Sequence, residues 1–257
     1  MFGVEASINL KSEAEIALMR EAGRINAETL NAVKAAIAPG VSTTELNEVA
    51  EAVQRSYGVY SPFKNYPGPY PFPASICTSI NEEMVHGIPS NRKLREGDII
   101  SVDCGTVYEG FVGDSAFTVG VGEISPLAQS LIEVTKQALE VGIAEMVPGN
   151  HLGDIGAAIE EFVTKHGFYV THLYTGHGVG REMHENPQVP NFGRRGEGIL
   201  LREGMTLAIE PMVLVGTRHT RVLRNGWTVI SQDRSLTAHQ EHSVAITAHG
   251  PEILTKL

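Results

Sequence analysis

Apolar residues along this chain recur in two spacings. One is helical. Leu46, Val49, Ala50 and Val53 recur every three or four residues, as do Ile155, Ile159, Phe162 and Val163, so each set lies along one helix face. Gly40 and Gly58 bracket the first of these helices, and Gly149 and Gly167 the second, at turn positions. A longer helix is expected before each, near 13–37 and 126–145. Ser12-x-x-Glu15 and Ser42-x-x-Glu45 have the form of capping boxes, in which a hydroxyl and a carboxylate satisfy free N–H groups at a helix start. The second pattern is short, apolar and β-branched, and predicts strands over 99–104, 111–119, 206–214 and 241–247. Between these elements, NYPGPYPFPAS (65–75) is a loop by composition. It reads equally well as a plain connector and as a rigid apolar wall of a pocket.

Parts of the chain repeat one another. Residues 38–58, APGVSTTELNEVAEAVQRSYG, parallel residues 147–167, VPGNHLGDIGAAIEEFVTKHG. Residues 94–103, LREGDIISVD, parallel residues 201–210, LREGMTLAIE, at nearly the same offset. A third pair is DSAFTVG, starting at Asp114, and EHSVAIT, starting at Glu241. Three matches in order imply an old duplication. The expected fold is α+β: two αβ halves, approximately 13–120 and 121–250, related by a pseudo-twofold axis, with a curved antiparallel sheet inside and helices over its outer face. No linker or low-complexity tract separates the halves, so residues 1–257 read as one domain.

Composition narrows the function classes. A formal net charge of -10 argues against broad binding to phosphate backbones, so no nucleic-acid specificity is expected. No apolar run approaches the ~18 residues of a membrane span, and the N-terminal MFGVEASINLKSEAEIALM lacks the basic stretch, apolar core and cleavage site of a signal peptide. The expected location is the cytoplasm. Cys77 and Cys104 are too few for a disulfide framework and read as small buried apolar side chains.

Four carboxylates sit where carboxylates are costly. Asp103 ends the run IISV and Glu210 ends the run TLAI. A charge at the end of a buried strand must be paired or bound to a cation. The duplication makes Asp103 and Glu210 equivalent, and Asp114 and Glu241 a second equivalent pair, so the pseudo-twofold brings all four near one axis. Their mutual repulsion calls for cations between them, and the nearby Arg95 and Arg202 lie only at the turns leading in. Each half also places a histidine ahead of its carboxylates, His86 in VHGIP and His177 in TGHGVG, with His184 seven residues after His177. His151, His166 and His172 have no such context and read as surface or satisfied core residues. An oxygen-rich site with one or two imidazoles suits Mn, Fe, Co or Zn, and less often Mg. Paired metals bridged by carboxylates would support hydrolysis; the competing reading is an acidic pocket with one structural cation.

On these residues the chain resembles the methionine aminopeptidases of the pita-bread metallopeptidases. The carrying segments are PASICTSINEEMVHGIP, GDIISVDCGTVYEGFVGDSAFTVG, TGHGVGREMHENPQVPNF, EGMTLAIEPMV and DRSLTAHQEHSVAIT, and the likeness covers about 15–250. The resemblance implies two divalent metals, with Asp103 bidentate on one, Asp114 and Glu241 bridging both, and His177 and Glu210 completing the shell of the second. It implies that Glu210 shuttles the proton, His184 stabilises the oxyanion, and His86 contacts the substrate near the scissile amide. Cys77, Phe72 and Trp227 match positions that line the methionine pocket. PYPFP (69–73) and Met183 depart from the family pattern, which usually has YHGYP in the loop and, in bacterial members, a Phe in place of Met183; these changes bear on the pocket mouth.

The short stretch between Glu210 and Glu241 leaves no room for a type 2 helical insertion, and the few residues before the first helix leave none for a zinc-finger extension, so a compact bacterial type 1 enzyme is expected. The implied activity is removal of the initiator methionine from nascent peptides, with preference for a small second residue. A monomer is expected, and transient contact with the ribosome is left open. The alternatives are an Xaa-Pro aminopeptidase or prolidase, and a pita-bread binding protein that has lost catalysis.

Overall fold

The computed structural model describes residues 7–256; part of the N-terminal stretch weighed above as a signal peptide, residues 1–6, lies outside it. Helices α1 (Glu13–Ala36) and α2 (Thr43–Ser56) start at the two expected capping boxes: the Ser12 and Ser42 hydroxyls accept from the Glu15 and Glu45 N–H groups, and each Glu carboxylate accepts from its serine's N–H. Strands β1 (Ile76–Ile80), β2 (Glu83–Val85), β3 (Ile99–Tyr108) and β4 (Phe111–Gly120) follow. The chain then repeats the plan with α3 (Pro126–Ala144) and α4 (Leu152–Lys165). The remaining strands are β5 (Tyr169–Val170), β6 (Gly176–Gly178), β7 (Glu185–Val189), β8 (Thr206–Ile209), β9 (Met212–Leu214), β10 (Thr220–Val222), β11 (Val229–Ser231), β12 (Thr237–His239), β13 (Glu241–Thr247) and β14 (Gly250–Ile253).

The main sheet runs β1-β3-β4-β13-β8-β6-β7, antiparallel throughout, with β14 added to β13. Its centre is symmetric. The β3–β4 pair of the first half meets the β13–β8 pair of the second along β4–β13, where Glu241 lies opposite Ala116 and His242 opposite Ser115. This is the pseudo-twofold arrangement that the repeats predict. Two small three-stranded sheets, β10-β11-β2 and β12-β9-β5, flank it.

Two expected strands come out differently. The run 99–104 continues to Tyr108, because Glu109 and Gly110 adopt left-handed conformations (φ 48° and 77°) that turn β3 tightly into β4. The run 206–214 divides at Glu210-Pro211. Proline has no N–H to donate to the ladder, so β8 stays in the main sheet while β9 pairs with β5 and β12.

The two-residue period of β3 sorts its side chains. Ile100, Val102 and Cys104 pack with Leu30, Val33, Leu46 and Ala50 of α1 and α2, and Asp103 faces the other way. In the second half, Leu131 and Leu139 of α3 and Ile155 and Ile159 of α4 pack on Leu207, Ile209, Val244 and Ile246. The helices thus cover one face, leaving the opposite face for polar groups. Helix α1 approaches β4 backbone to backbone. A Cβ on Gly113 would lie 2.6 Å from Gly23 N, and one on Gly23 would lie 2.1 Å from Leu254 O. Among the described residues, no helix is long and apolar enough to cross a membrane.

Because backbone atoms cannot step aside as a flexible side chain can, Gly113→Ala should cost about 1–3 kcal/mol of stability. Urea unfolding is the measurement, and an unchanged midpoint would show that α1 can move off the sheet.

Candidate metal centre

Neighbouring strands of the main sheet deliver the acidic residues to one place. Asp103 on β3 pairs with Cys77 of β1 and Ala116 of β4. Asp114 lies on β4, Glu241 starts β13, and Glu210 follows β8 just ahead of the proline break. His177 on β6 lies opposite Ala208 of β8. Where β4 meets β13 the backbone ladder is short, and two hydroxyls replace it. Ser243 Oγ donates to Asp114 O (2.8 Å) and accepts from Asp114 N–H (3.0 Å). Thr118 Oγ1 donates to His239 O (2.7 Å) and accepts from His239 N–H (2.9 Å). Each half of the sheet thus clamps a site segment of the other.

The donor atoms converge. Asp114, His177 and Glu241 each offer one atom, and the three lie within 4.8 Å of one another. His177 Nε2 is 3.7 Å from Asp114 Oδ2 and 3.5 Å from Glu210 Oε1. Asp103 Oδ1, Asp114 Oδ1 and Glu241 Oε1 are buried and have no hydrogen-bond partner among the described residues. Burial, then mutual repulsion, pushes the Asp103, Asp114 and Glu241 carboxyls well above the ordinary carboxylate range, and burial does the same to Glu210. Burial lowers His177 to about 3, leaving a neutral ring with a lone pair to offer. Orphaned carboxylate oxygens grouped around a neutral imidazole, with no lysine or arginine among the described residues lining the cavity, have the donor chemistry that suits a divalent cation. The residues fit a metal.

All ten residues singled out from the sequence line one cavity of about 260 Å³. Asp103, Asp114, His177, Glu210 and Glu241 occupy its polar end. Phe72, Cys77 and Trp227 line its apolar part, and His86 and His184 also face it. The loop 65–75 is a wall rather than a connector. Phe72 meets the Trp227 indole edge-on at 5.2 Å and Tyr70 does so at 6.3 Å. Gly68 lies so close to the indole that a Cβ there would be 2.3 Å from Trp227 Cζ2. His86 has a left-handed backbone (φ 59°), uncommon for a residue with a side chain, and burial lowers its imidazole to about 4.

Two further residues of the cavity bear on its chemistry and are not among those expected from the sequence. His239, on β12, is buried, with Nε2 3.4 Å from Glu210 Oε2 and 3.9 Å from Glu241 Oε2. Its spacing of two from Glu241 was the available signal, since alternate residues of an extended chain share a face. Tyr66, within the loop, reaches His184, and nothing in its local pattern marks it. The three histidines set aside lie elsewhere: His151 at the start of α4, His166 against Phe162 O, and His172 stacked on Phe192.

Residues 17–248 match metallopeptidase family M24. The chain belongs to that family. Among its members it is 53% identical to the methionine aminopeptidase of Clostridium acetobutylicum over 249 residues, 96% of this chain and 98% of that one. The crystal structure of the methionine aminopeptidase of Thermotoga maritima superposes with a TM-score of 0.95 at 44% identity, covering 98% of this chain and all of that one. Prolidase from Pyrococcus furiosus shares only the fold: 22% identity and a TM-score of 0.76, over 96% of this chain and 65% of that one. Within family M24 this chain therefore stands with the methionine aminopeptidases and apart from the prolidases.

The metal-free M24 centre should carry a pH signature. Its carboxyls, raised above the usual range, hold protons that the unfolded chain has already released, so stability falls as pH rises through their folded values. His177, lowered to about 3, acts in the opposite sense, but only below about 6.5, where an unfolded histidine takes up a proton. Above that range no histidine opposes the carboxyls. The unfolding temperature of chelator-treated protein should therefore fall as pH rises through the carboxyls' folded range, and a saturating divalent cation should abolish the slope. A flat metal-free profile would contradict the buried cluster.

Proposed function

We propose that this chain releases the N-terminal methionine from newly made polypeptides, preferring a small second residue. The observation that carries the reading is the cavity itself: an apolar aromatic pocket that ends in a buried cluster of unpaired carboxylates and neutral imidazoles. A thioether packs favourably on such a surface of aromatic rings and sulfur, here Phe72, Trp227 and Cys77. The names of the relatives point the same way. Asp103, Asp114, His177, Glu210 and Glu241 would hold two divalent cations drawn from Mn, Fe, Co and Zn, which supply positive charge to polarise the scissile carbonyl and acidify water.

The side chains divide the remaining work. Glu210 lies between His177 on one oxygen and His239 on the other, and it carries a proton from the attacking water to the leaving amine. His184 donates an N–H to the carbonyl oxygen as negative charge develops there, an interaction stronger in the transition state than in the ground state. His86, edge-on to Trp227 at 6.4 Å, is neutral and orients the scissile amide. The acidic end of the cavity receives the free N-terminal amine, which restricts cleavage to the first peptide bond.

The free thiols of Cys77 and Cys104 suit a reducing cytoplasm. A monomer carries the complete site.

Chelator-treated protein given back Mn, Fe, Co or Zn should release Met from Met-Ala-Ser and leave Ala-Pro-Ser intact. Release of Ala from the second peptide would move the chain to the Xaa-Pro branch, and no cleavage with any of the metals would favour a binding protein. His184→Ala should lower kcat by about 10²–10³ at unchanged metal content, measured by elemental analysis; a parallel fall in metal would make His184 a ligand instead.

A further inference from the structure

Tyr66 is held in place before it touches anything catalytic. Asn65, with a left-handed backbone (φ 67°), turns the chain into the loop. The loop is then closed at its base: Asn65 N–H donates to Phe72 O (2.8 Å) and Phe72 N–H donates to Tyr66 O (3.0 Å). Tyr66 N–H donates to Phe63 O (2.9 Å). The phenol projects from this pinned base to His184, with Tyr66 Oη 2.7 Å from His184 Nδ1 and the two rings edge-on at 5.3 Å. On its other side, His184 packs on the His177 ring at 4.3 Å. Among the described residues, Tyr66 is the only hydrogen-bond partner of the His184 ring.

We propose that Tyr66 is a positioning residue for the reaction: its hydroxyl donates to His184 Nδ1 and so fixes the imidazole in the form that carries hydrogen on Nε2. This rests on the methionine-releasing role proposed above. In a neutral imidazole one nitrogen donates and the other accepts, and the partner of the first decides which. A phenol O–H given to Nδ1 leaves Nε2–H as the donor of a ring that faces the cavity. That is the group a developing oxyanion needs, whereas the other tautomer would present a lone pair and repel it. Burial, then Glu182, raises the Tyr66 phenol above its usual range, so the hydroxyl keeps the proton it donates. The bond also restrains ring rotation, so orientation need not be gained at each turnover.

The test pairs Tyr66→Phe, which keeps the ring and the backbone bonds, with a measurement that needs neither metal nor peptide. With metal-loaded enzyme on Met-Ala-Ser, Tyr66→Phe should lower kcat by about tenfold with KM within about twofold of wild type. In a His184→Ala background the same change should alter kcat by less than about twofold, because Tyr66 acts through the imidazole. In metal-free protein labelled with ¹⁵N-histidine, the His184 nitrogens should show the Nε2–H form, and Tyr66→Phe should shift them towards a mixture. An unchanged kcat, an equal loss in both backgrounds, or an Nδ1–H ring in wild type would each overturn the inference. Failure of wild type to release Met would overturn the proposed function and the catalytic part of this inference, while the ¹⁵N measurement would still decide the hydrogen bond.

Discussion

The electrostatic cost of gathering Asp103, Asp114, Glu210 and Glu241 in one buried place governs this structure. Isolated carboxylates taken from water lose several kcal/mol of solvation each, and carboxylates grouped together also repel one another. Such a cluster persists only where a rigid frame holds it and protons or a cation neutralise it. The unpartnered oxygens of Asp103, Asp114 and Glu241 are the visible sign that the protein alone does not complete the arrangement. A cation bound here would therefore stabilise the fold.

The frame is built by polar as well as apolar contacts. Asn26 of α1 is fully buried and ties three points of the strand pair behind the site: its Nδ2 donates to Cys104 O (2.6 Å) and Ser115 Oγ (2.8 Å), and its Oδ1 accepts from Thr106 Oγ1 (2.8 Å). Together with the Gly23–Gly113 contact, this fixes α1 against β3 and β4. Across the pseudo-twofold, Ser243 and Thr118 tie the segments bearing Asp114 and His239. Bonds of this kind restrain positions to fractions of an ångström, as a site with several convergent donors requires. The aromatic wall is anchored separately, by the backbone closure at residues 65–72 and by the indole of Trp227 against Gly68.

Most of the architecture was legible in one dimension, because duplication leaves a record that does not depend on folding. The LREG repeats pair Asp103 with Glu210, apolar periodicity marks α2 and α4 between their flanking glycines, and the longer helices expected over 13–37 and 126–145 end within a residue of α1 and α3. Apart from β8 and β9, which fall within the expected run 206–214, the strands of two to five residues were not legible. Elements as short as β2, β5 and β10 carry too few residues for a period to show, and they exist because neighbouring strands complete their hydrogen bonds. The split of 206–214 was readable in principle, since Pro211 stood in the sequence as a residue that cannot donate to a ladder.

The sequence by itself determined the chemistry available: which residues are acidic, which are imidazoles, how they recur, and on which side of each strand they must point. Side-chain type and a two-residue period are local properties, and local properties survive without coordinates. Only the tertiary structure decided which side chains from distant segments meet. It brought His239 beside Glu210, decided that the loop 65–75 is a wall, and placed the Tyr66 hydroxyl on His184. Each is a contact between segments that share no local pattern, set by packing and by hydrogen bonds that the intervening chain does not encode.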